Sequence, residues 1–291
     1  LNQSALDKVN PFFLLESINN NLFSFLSAFL EFMGPNTSLA SHSPCGGNAV
    51  ELAFRNIRQG KADVSMAVGC GNWITEVPLY EMAGLGILSQ CRQGAQSFRP
   101  FDKRRDGFIP GEGGAALLLE AHDIAAERGA IILGQIKGSG NSIEFSGGQG
   151  IAVPSSVSRQ SMMLALEDAG CAIGDMAFIS PHGSGSQKGD RSELRSMVEI
   201  HGGKGPDTPV CALKPYTGHL GAASDISEVV VGIKAAAENL VPATLNYTES
   251  EKEFRCMKIS GSHQQCDREH FLSVSYGMGG QSSCLVVQVR K

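Results

Sequence analysis

No stretch of this sequence approaches the ~20 consecutive apolar residues that a membrane-spanning helix needs. The nearest, L-F-S-F-L-S-A-F-L-E-F-M at 22–33, is interrupted by Ser24, Ser27 and Glu31. It reads as a buried or interface helix rather than an anchor. The eight cysteines include no C-x-x-C pair and form no dense framework. That excludes a disulfide scaffold, and reduced thiols in a cytoplasmic protein are the expectation. Excess positive charge is also missing: the net charge is −5 at pH 7, which offers no field to attract nucleic acid. No signal-peptide pattern follows Leu1, so the chain is expected to begin inside a larger gene product or after processing or truncation.

Motifs for nucleotides, flavins and metals are missing too, and the expected cofactor is none. G-S-G-N (138–141) and S-G-G-Q-G (146–150) read as turn glycines rather than phosphate cradles. Cys256, His263, Cys266 and His270 have the chemistry of metal ligands, but their spacing matches no standard finger. They are expected to lie in a polar surface segment with buried thiols.

What is present is an ordinary globular composition, 42% hydrophobic and 18% charged over 291 residues, enough for one large or two medium domains. Glycine is abundant at 35 residues, which suggests tight turns and close backbone approaches. Apolar residues recur at helical spacing over 48–59, and Gly60 ends that pattern as a C′ glycine. Strands are expected at 62–70, in the stretch 107–120 after a turn, and at 131–139, 176–181, 208–213, 271–276 and 284–289. Helices are expected at 121–129, at 155–169 ending on Gly170, at 189–201 and at 220–239, and irregular chain with a short helix over 71–98. Alternating helices and strands without long polar linkers argue an α/β architecture.

G-E-G-G-A-A-L-L-L-E (111–120) resembles G-M-G-G-Q-S-S-C-L-V-V (277–287), each a polar turn ending in a strand downstream of a helix. One of those helices opens just after Ser43, the other just after His219. Two similar halves would face these helix N-termini toward a common centre. Two independently arisen glycine hairpins are the alternative.

Three chemistry-bearing stretches stand at strand-to-helix switch points. S-H-S-P-C-G-G-N-A (41–49) holds two side chains able to attack a carbonyl, Ser43 and Cys45. P-H-G-S-G-S-Q-K-G-D-R-S-E (181–193) places His182 between a strand and a helix, with hydroxyl donors at Ser184 and Ser186. K-P-Y-T-G-H-L-G-A-A-S (214–224) places Lys214 and His219 in a loop entering a helix. A helix N-terminus favours neutral imidazole, which can donate one hydrogen bond to a developing oxyanion.

These stretches, with R-P-F-D-K-R-R-D-G-F-I-P-G-E-G-G-A-A-L-L-L-E (99–120) and S-Y-G-M-G-G (275–280), occur in the order seen in β-ketoacyl synthases. The chain resembles that family over essentially its whole length. The resemblance implies a thiolase-like α/β fold, two similar halves stacked as five α-β-α-β-α layers. Residues 1–122 would be the remainder of an incomplete N-terminal half carrying the nucleophile position, and 123–291 the C-terminal half. It implies decarboxylative Claisen condensation of acyl and malonyl thioesters on acyl carrier protein, in fatty-acid or polyketide synthesis. His182 and His219 would hold the malonyl carbonyl and its enolate, Lys214 would support them, and Ser184 and Ser186 would line the pantetheine channel. The family's gating aromatic corresponds to Met278, beside Gly279; methionine there would reshape the acyl channel. Family members are dimers; homodimer and heterodimer with a second ketosynthase-like chain both stay open.

Register separates Ser43 from Cys45. Pro35 lies eight residues before Ser43 and Asp63 twenty after it, intervals resembling those that frame the family's catalytic cysteine. Cys45 misses both by two residues, about 200° of rotation on a helix. Ser43 is therefore expected at the nucleophile position, with Cys45 packing as a small hydrophobe. Serine is a weak nucleophile unless a base takes its proton. His42 and Pro44 flank it where small residues are usual, Ser224 replaces a glycine, and a glutamate expected at 227 is serine, with Glu228 beside it. Three accounts follow: a cysteine-to-serine ketosynthase, natural or engineered; a chain-length-factor-like subunit that pairs with an active partner; and a scaffold without chemistry.

Overall fold

The computed structural model describes Gln3 and residues 21–40, 44–145, 153–203 and 207–291. The chain divides into two compact units, Leu1–Ala40 and Ser41–Lys291. In the first, helix α1 (Asn21–Leu30) stacks Phe25 on Phe29 with ring centroids 6.0 Å apart. Both rings are exposed. Among the described residues no helix is long and apolar enough to cross a membrane.

The second unit is layered. Helix α2 (Cys45–Arg58) ends through Gln59 and Gly60, the latter at φ +67°, the left-handed stop its glycine predicts. Strands β1 (Val64–Asn72) and β2 (Glu112–Glu120) pair antiparallel from Val64↔Glu120 to Asn72↔Glu112. Between them lies helix α3 (Glu76–Gly84), and after them helix α4 (His122–Glu127). The second sheet has the order β3-β6-β5-β4, built from β3 (Gly134–Ile143), β4 (Met176–Ser180), β5 (His270–Tyr276) and β6 (Gln281–Val289). β4 and β5 run parallel; the other pairs are antiparallel.

Successive residues of β5 and β6, and of β4 from Phe178 on, feed opposite faces, the period-2 consequence of the pleat. Phe178, Phe271, Leu285 and Val287 face one core with Val50 and Ala53 of α2, Ala67 of β1, and Ile226 and Val229 of helix α5 (Ala222–Ala237). Ile179, Leu272, Val274 and Val286 face the other core, with Met162 and Ala165 of helix α6 (Arg159–Ala169) and Leu194 and Met197 of helix α7 (Gln187–Ile200). The order is sheet, central helices α2 and α5, sheet, outer helices. These are four of the five expected layers.

Four local expectations are corrected. G-S-G-N is not a turn: Gly138–Asn141 lie inside β3. Glycine is needed there because a Cβ at Gly140 would sit 2.1 Å from the Ser161 carbonyl oxygen, so the strand lies directly against α6. S-G-G-Q-G lies outside the described residues. The helix expected from 155 starts at Arg159, since the Glu144 carboxylate accepts from the Ser158 and Gln160 amides and Ser158 takes φ +70°. The stretch 208–213 forms only bridges at Val210, to Ile179 and Ile259, before the chain tightens into a turn at Lys214–Tyr216. The buried thiols expected in the segment holding Cys256, His263, Cys266 and His270 are not found: Cys256 is exposed and Cys266 half-buried, while His263 accepts from the Ala243 amide.

Gly140→Ala is expected to destabilise the fold by about 2–3 kcal/mol through overpacking against α6. Gly174→Ala, where an added Cβ meets nothing within 4 Å, is expected to stay within about 0.5 kcal/mol. Thermal and denaturant unfolding of the two variants checks the contrast.

Candidate active site

The loop after β4 carries His182. Its backbone is held from behind by α7: Glu193 accepts from the His182 amide at 2.7 Å and the Gly183 amide at 3.0 Å. Asp190, one turn earlier, accepts from the Gly185 amide at 2.9 Å and the Phe101 amide at 2.7 Å. Burial pushes Glu193 up to about 8 and Asp190 to about 6, against the pull of these amides and, for Asp190, of Arg105. Ser184 and Ser186 hydrogen-bond each other at 2.8 Å; Ser184 also reaches Asp190, and Ser186 caps α7 by accepting from the Gly189 amide. Both hydroxyls therefore also brace the loop.

His219 lies in the loop entering α5. Its Nδ1 accepts from the Gly221 amide at 3.2 Å, which leaves the proton on Nε2. Its ring sits between Trp73, 4.6 Å away, and Phe108, 5.1 Å away. His182 and His219 meet edge to face with centroids 5.1 Å apart, and Tyr276 at the end of β5 packs on His182 at 4.4 Å. Both imidazoles are buried. Burial holds the two well below the usual histidine value, helped by the nearby Lys214 ammonium and, for His182, by His219 itself. Neutral rings that keep an N–H are suited to stabilising an oxyanion.

Lys214 is buried and paired: its Nζ donates to Glu228 at 2.9 and 3.2 Å. Residue 227, where the resemblance expects glutamate, is serine and does not meet the lysine. Glu228, one residue along α5, turns inward to the lysine, whereas the Ser227 hydroxyl donates to the Ser224 carbonyl of its own helix. Burial pushes Glu228 up to about 7 against Lys214. Ser224, in place of the expected glycine, accepts from the Leu220 amide at 2.8 Å and steadies the helix entry.

Ser43 lies outside the described residues. Cys45 is the first residue of α2 and is buried. Met278 is half-buried and Gly279 exposed at φ +107°, both in the turn between β5 and β6, just beyond Tyr276. Tyr276, Trp73, Glu193 and Asp225 had no place among the sequence-derived candidates. For Asp225 a signal existed: D-I-S-E (225–228) puts two carboxyls three apart on one face of a helix.

Lys214→Met and Glu228→Gln are each expected to cost about 3–5 kcal/mol of stability, because either leaves a buried charge or its partner uncompensated. Lys214→Met combined with Glu228→Leu is expected to recover most of that loss. Chemical denaturation of the three variants tests the pair.

A sequence model described as "Beta-ketoacyl synthase, N-terminal domain" matches residues 2–125, and one for the C-terminal domain of the same family matches 133–248. The chain is 30% identical over 260 residues to a putative polyketide beta-ketoacyl synthase 1 of Streptomyces cyaneus, covering 87% of this chain and 60% of that protein. It is 28% identical over 284 residues to 3-oxoacyl-[acyl-carrier-protein] synthase 2 of Vibrio harveyi, covering 96% and 68%. The fold superposes on the ishigamide ketosynthase/chain length factor with a TM-score of 0.85 at 24% identity, over 98% of this chain and 68% of that one. With two family models spanning most of its length and that architecture, the chain belongs to the β-ketoacyl synthase family and has its thiolase-like fold.

Proposed function

We propose that this chain decarboxylates malonyl thioesters and carries the condensing chemistry of its family in fatty-acid or polyketide synthesis. The observation that supports this is the pair of buried, neutral imidazoles 5.1 Å apart, with Lys214 and Glu228 behind them. The N–H groups of His182 and His219 receive the thioester carbonyl oxygen. The bond from the α-carbon to the carboxylate breaks, CO₂ leaves, and the electron pair moves onto that oxygen as an enolate held by the two donors. A proton then quenches the α-carbon, or the carbon forms a C–C bond to the carbonyl carbon of an acyl group esterified to Ser43, whose ester C–O bond breaks and, on protonation, returns the free hydroxyl. Ser43 stands at the nucleophile position, Ser184 and Ser186 along the arm of the thioester, and Met278 and Gly279 toward its acyl end. The partner is an acyl carrier protein presenting phosphopantetheine thioesters, and the working assembly is a dimer.

A second reading is a chain-length-factor-like subunit that pairs with an active ketosynthase. Serine at 43, where the family carries cysteine, favours it, and so does a carboxylate at the start of α2: Asp225 accepts from the Gly46 and Gly47 amides. Co-purification with an active ketosynthase as a stable heterodimer would support this reading over the first.

Incubation with a malonyl thioester of acyl carrier protein is expected to release CO₂ above background. His182→Ala and His219→Ala are each expected to lower the rate on the order of 10²–10³-fold, the usual cost of one oxyanion donor. Because both imidazoles lie below the ordinary value of 6.5, the acid limb of the rate is expected below that pH, with a plateau through 6.5. No CO₂ from the intact chain removes the enzyme reading.

A further inference from the structure

The two imidazoles are held in different ways. The ring plane of His219 is set by a hydrogen bond, Nδ1 taking the Gly221 amide, and by the rings of Trp73 and Phe108. His182 has no such bond: its Nδ1 is buried and has no hydrogen-bond partner among the described residues. Glu193 fixes its backbone but not its ring. The torsion that turns an imidazole about its Cβ–Cγ bond is broad and nearly two-fold, so it selects no single plane. A hydrogen bond at the second nitrogen ordinarily settles both plane and tautomer. Here neighbouring rings take that place. Tyr276 lies with its centroid 4.4 Å from that of His182 and the planes inclined at 54°. His219 meets the same ring edge on, at 5.1 Å and 69°.

Tyr276 is itself fixed at both ends. Its backbone closes β5, opposite Ser282 of β6. Its side chain is buried, and the hydroxyl crosses to the entry of α7, 3.4 Å from the Ser184 hydroxyl. Ser184 is bonded in turn to Ser186 and Asp190. Gly189 makes room for the phenol: a Cβ there would lie 2.3 Å from the Tyr276 oxygen. Gly189 stands within α7 and has no positive φ, so its backbone does not call for glycine, which is unfavourable inside a helix. The contact with Tyr276 supplies the reason. The phenol thus braces the end of β5 against the same helix entry that carries the His182 loop.

We propose that Tyr276 is a positioning residue: it fixes the ring plane of His182 and so aims its N–H at the oxygen on which the enolate charge develops. This rests on the reading of the histidine pair given under Proposed function, and the test separates the two. The variants, in the full chain, are Tyr276→Phe, which keeps the ring, and Tyr276→Leu, which removes it. One readout is steady-state CO₂ release from a malonyl thioester of acyl carrier protein. The other is the NOE between the ring protons of His182 and His219 in histidine-labelled, otherwise deuterated protein, assigned with His182→Ala. Tyr276→Leu is expected to lower kcat about 10–100-fold with KM within about twofold, the pattern of a misplaced group rather than of lost binding. It is also expected to lose the NOE. Tyr276→Phe is expected to keep the NOE and to stay within about fivefold in kcat, the cost of one weak neutral hydrogen bond.

An unchanged kcat in the Leu variant, or a loss carried by KM alone, would overturn the assignment. So would a lowered kcat with the NOE intact, or a Phe variant as impaired as the Leu variant. If Tyr276→Leu fails to fold, Tyr276→Met, of similar reach but without a ring, replaces it under the same criteria. A chain that releases no CO₂ is judged on the NOE: its loss in the Leu variant alone leaves the orientation of His182 assigned to Tyr276 and removes decarboxylation. CO₂ release with rate and NOE both unchanged in the Leu variant does the reverse.

Discussion

The site depends on the contact between the N-termini of the two central helices. At Gly46 the backbone of α2 comes close enough to the start of α5 that an added Cβ would overlap the Ala222 carbonyl oxygen. β1 meets the same segment: a Cβ at Gly69 would lie 2.5 Å from the Ala222 oxygen, and one at Gly71 2.1 Å from the Leu220 oxygen. The stretch Leu220–Ala222 is thus pressed between a helix and a strand that are glycine at the points of contact. That pressing sets His219, because its own backbone bonds to Ile109 and Gly111 while its Nδ1 takes the Gly221 amide. A larger residue at any of these points would move the imidazole together with the helix it introduces.

Around this contact the protein uses burial to control charge. His182 and His219 are kept neutral by lack of water and by a nearby ammonium. The carboxyls of Glu193 and Asp190 serve as acceptors for loop amides, so the His182 loop hangs from the helix that follows it. Lys214 and Glu228 neutralise each other at the back of the site. Asp225 departs from this pattern, since one of its oxygens has no hydrogen-bond partner among the described residues. A buried polar atom left in that condition costs free energy.

Much of the fold could be read along the chain. Apolar periodicity and glycine stops located α2, α5, α6 and α7 and the strands β1 to β6 to within a few residues. Misplaced boundaries share one cause, long-range hydrogen bonding. Glu144 delays α6 by capping it from a distant strand end, and Val210 pairs with neighbours on both sides without extending into a strand. G-S-G-N looks like a turn until α6 lies across it. Of the candidate site, motifs name His182, Lys214, His219, Ser184 and Ser186, and the fold brings His182 and His219 into contact. The site was not legible where packing supplies its residues, as with Tyr276 against His182 and Trp73 against His219.

By itself, then, the sequence determined the order of helices and strands, the family, and the identity of the histidines and lysine at the switch points. Those follow from local periodicity, turn chemistry and motif order, all of which are written over short distances. Only the tertiary structure decided that Glu228 rather than residue 227 meets Lys214, that the two imidazoles lie in contact, and that Asp225 reaches the first amides of α2. Each of these joins residues brought together by packing, and a rotation of one residue on a helix, about 100°, is enough to change the partner.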